Sequence, residues 1–428
     1  MAFTFDTGSV VSGTLTGGLR PFYDQMLLDT LRNNSVYVPY VETKVDFAAK
    51  AAGQMVFSEV YDTEPYWNAI SETSYFLSGM QMGSRSVTLN VALYGDVMKF
   101  SDFTEYVNFF NNGDFRGLVQ GKLGQNMVET LDILAMNAFN SAPFVTYAGG
   151  HTNRFQITST DIFDPDLGGL AFTHLQERLI PGLVNISDGG EPAVIGITSP
   201  RVIHDIRTGT PTVQTKWIDI LKYQHAEMKM KNEVGAWDGV RYVKSTRARH
   251  RNAGKVIFQS TLTSNTIPQQ GGAASVFGVY TTAADAVAPR TVPVVSSSGF
   301  AVGQYVTIHS QTVNDADGSG AFAPNKDDGT QETRLIISIG SNVLSFDKPL
   351  LKAHLAGDYV TNGVDLNYSN IIGGPAVALG VAEMPTIVMP PKMDDLQMLN
   401  RIGWRMFGKF QMFRPEWTEL IISGGSST

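Results

Sequence analysis

The reading of the fold turns on SVTLNVALYGDVMKF, Ser86 to Phe100. Val87, Leu89, Val91 and Leu93 alternate with Ser86, Thr88, Asn90 and Ala92, the period of a strand with one covered face. The strand candidate runs from Arg85 to Lys99, and an unbroken alternation from Val87 to Met98 spans about 40 Å at roughly 3.3 Å per residue. Gln54 to Val60 is a second, weaker strand candidate. Between the two lies a polar loop carrying Tyr61, Tyr66, Trp67, Tyr75 and Phe76, residue types that suit an interface. A lone two-stranded hairpin is marginal in water. A hairpin this long, with little core of its own, must lie on something else, and another copy of the chain is an economical answer.

Downstream the period changes. Leu123, Met127, Leu131, Leu134 and Ala138 fall at intervals of four, four, three and four, which predicts a helix over Phe115 to Asn140. At 1.5 Å per residue it is roughly 39 Å long. Ser141-Ala142-Pro143 stops it. Upstream, a Gly/Ser/Thr-rich arm precedes a short helical pattern at Phe22, Met26, Leu27 and Leu31, and Val36 to Val41 reads as extended.

From Phe144 to Lys255 the pattern is mixed. Leu167 to Ile180 and Val213 to Met230 read as helices, Pro192 to Thr198 as a buried strand, and Gly235 to Val243 as a turn and strand. Composition shifts after Phe258, where Asp285 and Arg290 are the sole charges between Gln259 and Phe300. Val302 to Ile308, Thr333 to Ile339 and Asn342 to Phe346 read as short strands of an all-β insertion ending near Val364.

The chemistry is sparse. With 428 residues, 43% hydrophobic and 17% charged, the chain has material for a large core, and its net charge of −8 argues against a dedicated nucleic-acid binder. The absence of Cys excludes disulfides, thiolate metal sites and a cysteine nucleophile. The N-terminus has no basic and apolar pattern of a secretory signal, and no apolar run reaches the roughly 18–20 residues of a membrane span. A soluble protein made in a cytoplasm is expected. Seven histidines are scattered singly, with no HExxH, GxSxG or phosphate-loop motif, so no catalytic residue, metal ligand or cofactor site is assigned. Asp315-Ala-Asp317-Gly-Ser319-Gly320 begins like a calcium loop, but its twelfth position is Lys326, and a solvated loop is the better reading. One local basic run, Arg241, Lys244, Arg247, Arg249, His250, Arg251 and Lys255, reads as a patch facing DNA or another subunit, or as a solvated strand and turn. Trp404, Phe407, Phe410, Phe413 and Trp417 read as core.

The order of these parts resembles the major capsid proteins of tailed bacteriophages with the Hong Kong 97 fold. The resemblance is carried by PFYDQMLLDTLRNN at Pro21 to Asn34, SVTLNVALYGDVMKFSDFTEY at Ser86 to Tyr106 and GLVQGKLGQNMVETLDILAMNAF at Gly117 to Phe139. GAWDGVRYVKSTR at Gly235 to Arg247, IIGGPAVALGV and RIGWRMFGKFQMFRPEWTELI complete it. It implies an α+β fold: an N-terminal arm and short helix over 1–50, an extended β-hairpin loop over 51–102, and a spine helix with a mixed α+β peripheral and axial body over 103–257. An all-β insertion domain over 258–365 and a C-terminal return to the body over 366–428 follow. It also implies self-assembly into hexamers and pentamers of a closed icosahedral shell around genomic DNA, touched non-specifically. Portal, scaffolding and decoration proteins are further expected partners, and no membrane is involved. The loop tip would lie over a neighbouring subunit. A virion fibre or glycan-binding adhesin using the insertion, and a hydrolase with a dispersed site, are the competing readings.

Overall fold

The computed structural model describes residues 35–45, 54–60, 82–107, 115–182, 184–185, 192–208, 218–219, 232–266, 290–310, 331–350, 352–389 and 398–425. The arm and its helical pattern, the aromatic loop tip and the Asp315 loop lie outside these residues. In chain order the first elements are strands β1 (Glu42–Val45), β2 (Gln54–Val60), β3 (Ser84–Asn90) and β4 (Ala92–Ser101). Helix α1 (Asp102–Val107) then leads to α2 (Phe115–Asn140), whose limits are those its periodicity predicts. The body continues with β5 (Val145–Tyr147), α3 (Pro165–Glu177), β6 (Val184–Asn185), β7 (Pro192–Thr198), α4 (Pro200–Thr208) and β8 (Ile218–Asp219). Next come β9 (Glu233–Trp237), β10 (Val240–Lys244), β11 (Arg249–His250), β12 (Val256–Thr261) and β13 (Thr291–Pro293). They are followed by β14 (Tyr305–His309), β15 (Glu332–Gly340), β16 (Val343–Phe346) and β17 (Tyr359–Gly363). The last strands are β18 (Leu366–Ile372), β19 (Val377–Val388), β20 (Leu399–Met412) and β21 (Thr418–Gly424). Among the described residues no helix is long and apolar enough to cross a membrane.

Helix α2 lies on a four-stranded sheet ordered β1-β19-β20-β4. Val119, Leu123 and Phe139 from the helix meet Val377, Leu379, Val381, Ile402, Trp404, Met406 and Phe410 from the sheet. The far end of α2 reaches the second, nine-stranded sheet, whose main path is β5-β21-β18-β7-β10-β9-β8. Ile195 and Ile197 of β7 pack toward α2, while Val194 packs toward α3 and α4 with Val202, Ile206 and Leu175. A strand covered on both faces has no polar side to show, hence the continuous apolar run Pro192 to Thr198. Asp238 (φ 46°) and Gly239 (φ 78°) form the tight turn between β9 and β10, both in the left-handed region that such hairpin turns require.

The third unit is a six-stranded sheet ordered β12-β17-β14-β15-β16-β13. Its ends meet: Leu262 bridges Val294, Val295 N–H donates to the Thr261 carbonyl at 2.9 Å, and Thr263 N–H donates to Pro293 at 3.1 Å. The sheet thus closes into a small barrel and has no free edge to protect. Its interior holds Leu262, Val292, Val294, Phe300, Val306, Ile308, Ile336, Leu344, Phe346, Leu350 and Val360.

Three expectations need correction. The long alternation is broken at Val91: β3 pairs with β2, whereas β4 pairs with β20 in another sheet. Leu89 is fully buried but Leu93, four residues on, is 63% exposed, because the chain steps from one layer to the next at Val91. Val36 to Val41 is not extended throughout, since Val38–Tyr40 makes a 3-10 turn begun by Pro39. Ile218–Asp219, inside the stretch read as helical, is a strand on the β9 edge.

Candidate functional site

Among the described residues two surfaces stand out, the one that fixes the β2–β3 hairpin and the one left open at a sheet edge. The first is the seat of the hairpin. β19 alternates large residues toward the helix (Val377, Leu379, Val381) with small ones toward the opposite face (Ala378, Gly380, Ala382). The base of the β2–β3 hairpin rests on that small face through Met55, Phe57 and Leu89, all buried, beside Phe413. A methyl group on Gly380 would lie 2.5 Å from the Met55 sulfur, so a larger residue there must push the Met55 side chain aside. The described part of the hairpin does lie on something else, as expected, but for the face carrying Met55, Phe57 and Leu89 that support is its own chain and not another copy.

Charges bolt the same seat. Arg85 of β3 reaches Glu59 of β2 at 2.7 Å and Glu416 at 2.6 Å. Arg414 reaches Glu59 at 2.8 Å and Glu42 of β1 at 2.5 Å, and its guanidinium lies over Phe413 and Trp417. Partial burial by itself would raise the Glu59 carboxyl, but the hydrogen bonds and charges of Arg85 and Arg414 outweigh it and hold the group below its ordinary range. Glu416 is held low by Arg85 against the same opposing effect.

The basic run does not form one surface. Arg241 is 4% exposed and makes a two-pronged pair with Glu233, at 2.8 and 2.6 Å, which removes it from any patch that could face DNA. Arg247 pairs at 2.5 Å with Asp132 of α2, which is 0% exposed. Asp132 also accepts from Ser35 Oγ at 2.9 Å and from the backbone N–H groups of Val36 and Tyr37 at 2.8 and 2.7 Å. One carboxylate thus ties the N-terminal segment, the long helix and the segment after β10 together. Arg249 and Arg251 converge on Asp365 at 2.6 and 2.9 Å, and Asp365 also accepts the Asn252 N–H at 3.1 Å. Arg251 stacks over Tyr305 at 4.2 Å, and the Asn252 amide donates to Thr307 Oγ1 at 3.2 Å. Both partners lie in the barrel, so these residues brace the barrel against the body. Lys244 and Lys255 are exposed.

Of the aromatic residues read as core, Trp404, Phe410 and Phe413 are buried and Phe407 and Trp417 half-buried. Tyr61, Tyr66, Trp67, Tyr75 and Phe76 lie outside the described residues. Sequence reasoning missed Asp132, Asp365, Glu59 and Glu416, whose partners lie 26 to 355 positions away in the chain. Among the described residues no group of three or more His, Asp or Glu could hold a metal ion.

The other surface is open. β4 ends the four-stranded sheet, and Gly95 to Lys99 are exposed on both faces, with Val97 at 46% and Met98 at 43%.

No family model matches this chain, and no curated protein is similar to it. Solved structures are. The capsid of Ralstonia phage GP4 superposes with a TM-score of 0.55 at 9% identity, over 92% of each chain. The capsid asymmetric unit of cyanophage Pam1 gives 0.48 at 10% identity over 92% of each chain. The mature capsid of bacteriophage PhiM1 gives 0.47 at 11% identity, over 98% of this chain and 91% of that one. The fold is assigned on the first: long helix on a four-stranded sheet, hairpin seated behind it and a second sheet beyond make this chain's fold the Hong Kong 97-like capsid fold.

Proposed function

We propose that the chain is a major capsid protein that assembles with copies of itself, as hexamers and pentamers, into the icosahedral head shell of a tailed phage. The observation that carries this is likeness to a phage capsid subunit over nearly the whole length of both chains. The physical design suits it: the hairpin is fixed at its base, and the sequence between its two strands is rich in Tyr and Trp, residues enriched where proteins meet. On this reading Tyr61, Tyr66, Trp67, Tyr75 and Phe76 contact a neighbouring subunit, and the chain carries no catalysis. The domain limits of the sequence reading become the arm, loop, spine, body and insertion of a shell subunit. Its place is the virion head, built in the host cytoplasm around genomic DNA held by non-specific contacts. Lys244 and Lys255, with the half-exposed Arg249 and Arg251, are left to serve as a DNA-facing or intersubunit patch. Portal, scaffolding and decoration proteins are the further partners.

Electron microscopy of the purified full chain, alone and with the other virion structural proteins, tests this. Closed shells of uniform size are expected. Small elongated oligomers under both conditions would move the fibre or adhesin reading ahead.

A further inference from the structure

The open edge of β4 has properties that a protected edge lacks. Its ten residues pair with β20 in unbroken register from Ala92–Gly408 to Ser101–Leu399. The neighbouring β19–β20 ladder, by contrast, shifts twice. β4 has no proline and no bulge, the usual devices that spoil an edge, and only Asp96 and Lys99 charge it. Leu93, Val97 and Met98 are 63%, 46% and 43% exposed along it.

The direction of its free hydrogen-bonding groups can be read. In a strand, the N–H and C=O of one residue point to the same side and those of the next to the other. A methyl group on Gly403 would lie 2.8 Å from the Asp96 carbonyl oxygen, so Asp96 faces β20. The Val97 N–H donates instead to the Asp96 carboxylate at 2.8 Å. Leu93, Gly95, Val97, Lys99 and Ser101 therefore face outward, and at Val97 a side chain stands in for a missing strand.

We infer that β4 pairs antiparallel with β4 of a second copy, about a two-fold axis at Val97. The length of the edge selects this partner. Among the described strands the barrel has no free edge, β1 offers four residues, and β2 and β3 offer seven each. A second β4 matches all ten. A two-fold antiparallel pair leaves each residue on its own face, so the outward residues must pair with one another. Centring on Val97 places Val97 opposite Val97, Gly95 opposite Lys99 and Leu93 opposite Ser101, using every outward residue. Centring on Met98 leaves Leu93 without a partner. The pair joins two four-stranded sheets into one of eight strands and covers the apolar side chains that the single chain leaves in water.

The inference rests on the reading of the chain as self-assembling, and the absence of Cys makes it testable. Opposed residues of a hydrogen-bonded antiparallel pair lie about 5.5 Å apart between Cα atoms, within disulfide range. Two copies of residue 99 would be offset by four residues, about 13 Å. The full-length Val97→Cys and Lys99→Cys proteins, alone and with the other virion structural proteins, are oxidised and run on non-reducing gels, with the same samples imaged by electron microscopy. Most Val97→Cys chains should run as covalent dimers and Lys99→Cys chains as monomers. Shells without the Val97→Cys dimer, or equal cross-linking at both positions, overturn the strand pairing and leave the shell reading intact. Selective Val97→Cys dimers without shells support the pairing and overturn the shell reading, and neither product overturns both.

Discussion

Asp132 shows how much one buried carboxylate can hold. Its oxygens accept from a hydroxyl, two backbone N–H groups and a guanidinium, drawn from two segments of the chain that it ties to its own helix. Asp132→Ala leaves Arg247, whose side chain is 18% exposed, without this counter-charge and strands both N–H groups. Removing one partner of such a pair costs about 3–5 kcal/mol, and chemical denaturation should show a loss of that order. Asp132→Asn, which keeps two polar atoms, should lose less. In the sequence Asp132 is a charge inside a helical stretch, read naturally as solvent-facing. Nothing local to it marks Ser35 or Arg247 as partners. His250 gives a second case. It packs on Tyr368 with ring centroids 4.3 Å apart, and the Asn140 amide lies 3.3 Å from Nε2, where it can donate to the neutral ring. Burial, helped by the Arg154 charge, pushes its pKa down to about 4. A histidine whose folded pKa lies below its unfolded value of about 6.5 binds more protons unfolded. Its contribution is therefore fully present above about pH 6.5 and is lost as pH falls toward 4. Between pH 7 and pH 5 the wild type should lose about 2 kcal/mol that His250→Phe does not, read from urea midpoints at the two values.

At the scale of elements, the hairpin is a rigid strut only as far as its seat holds it. Gly380→Val places a side chain against the Met55 sulfur and within 3.3 Å of Leu89. Overpacking of this kind costs about 1–3 kcal/mol. The expected result is faster amide hydrogen exchange over 54–60 and 84–90, with the β4–β20 ladder unchanged; equal exchange in both proteins would show that the charges alone hold the hairpin. The alternation in Val377 to Ala382 is legible in sequence as large and small residues, yet which face takes a helix and which a hairpin is not. The long helix was readable to the residue because its period persists over 26 positions. Pro192 to Thr198 was readable because both faces are apolar and Pro and Ser-Pro bound it. The break at Val91 was not. A strand that steps between layers keeps its local alternation, and only the partner strands, β2 and β20, reveal the step. That the basic run does not form one surface was hidden for the same reason. Glu233, Asp132 and Asp365, which neutralise four of its arginines, come from other parts of the chain.

Across the whole molecule, the barrel and the body meet through polar bracing, while their apolar cores stay apart. Every member of the barrel's buried cluster lies between Leu262 and Val360, and none of the body's buried clusters draws on that stretch. The chain enters at Val256 and leaves at Gly363, which face each other as partners across the β12–β17 pair. Two connections that leave the body side by side can be joined without moving either end. Replacing residues 257–362 by Asn-Gly, which favours the tight turn of a hairpin, should therefore leave the body folded. Trp237 and Trp404 are buried in the body, so its near-ultraviolet circular dichroism should persist, while the melting transition of the barrel disappears. The shortened chain keeps the hairpin seat and the β4 edge, and it should still assemble as the full chain does. A shortened chain that fails to fold would show that Arg251, Asn252 and Tyr305 stabilise the body as well as orient the barrel. One that folds but no longer assembles would place contacts between copies on the barrel itself.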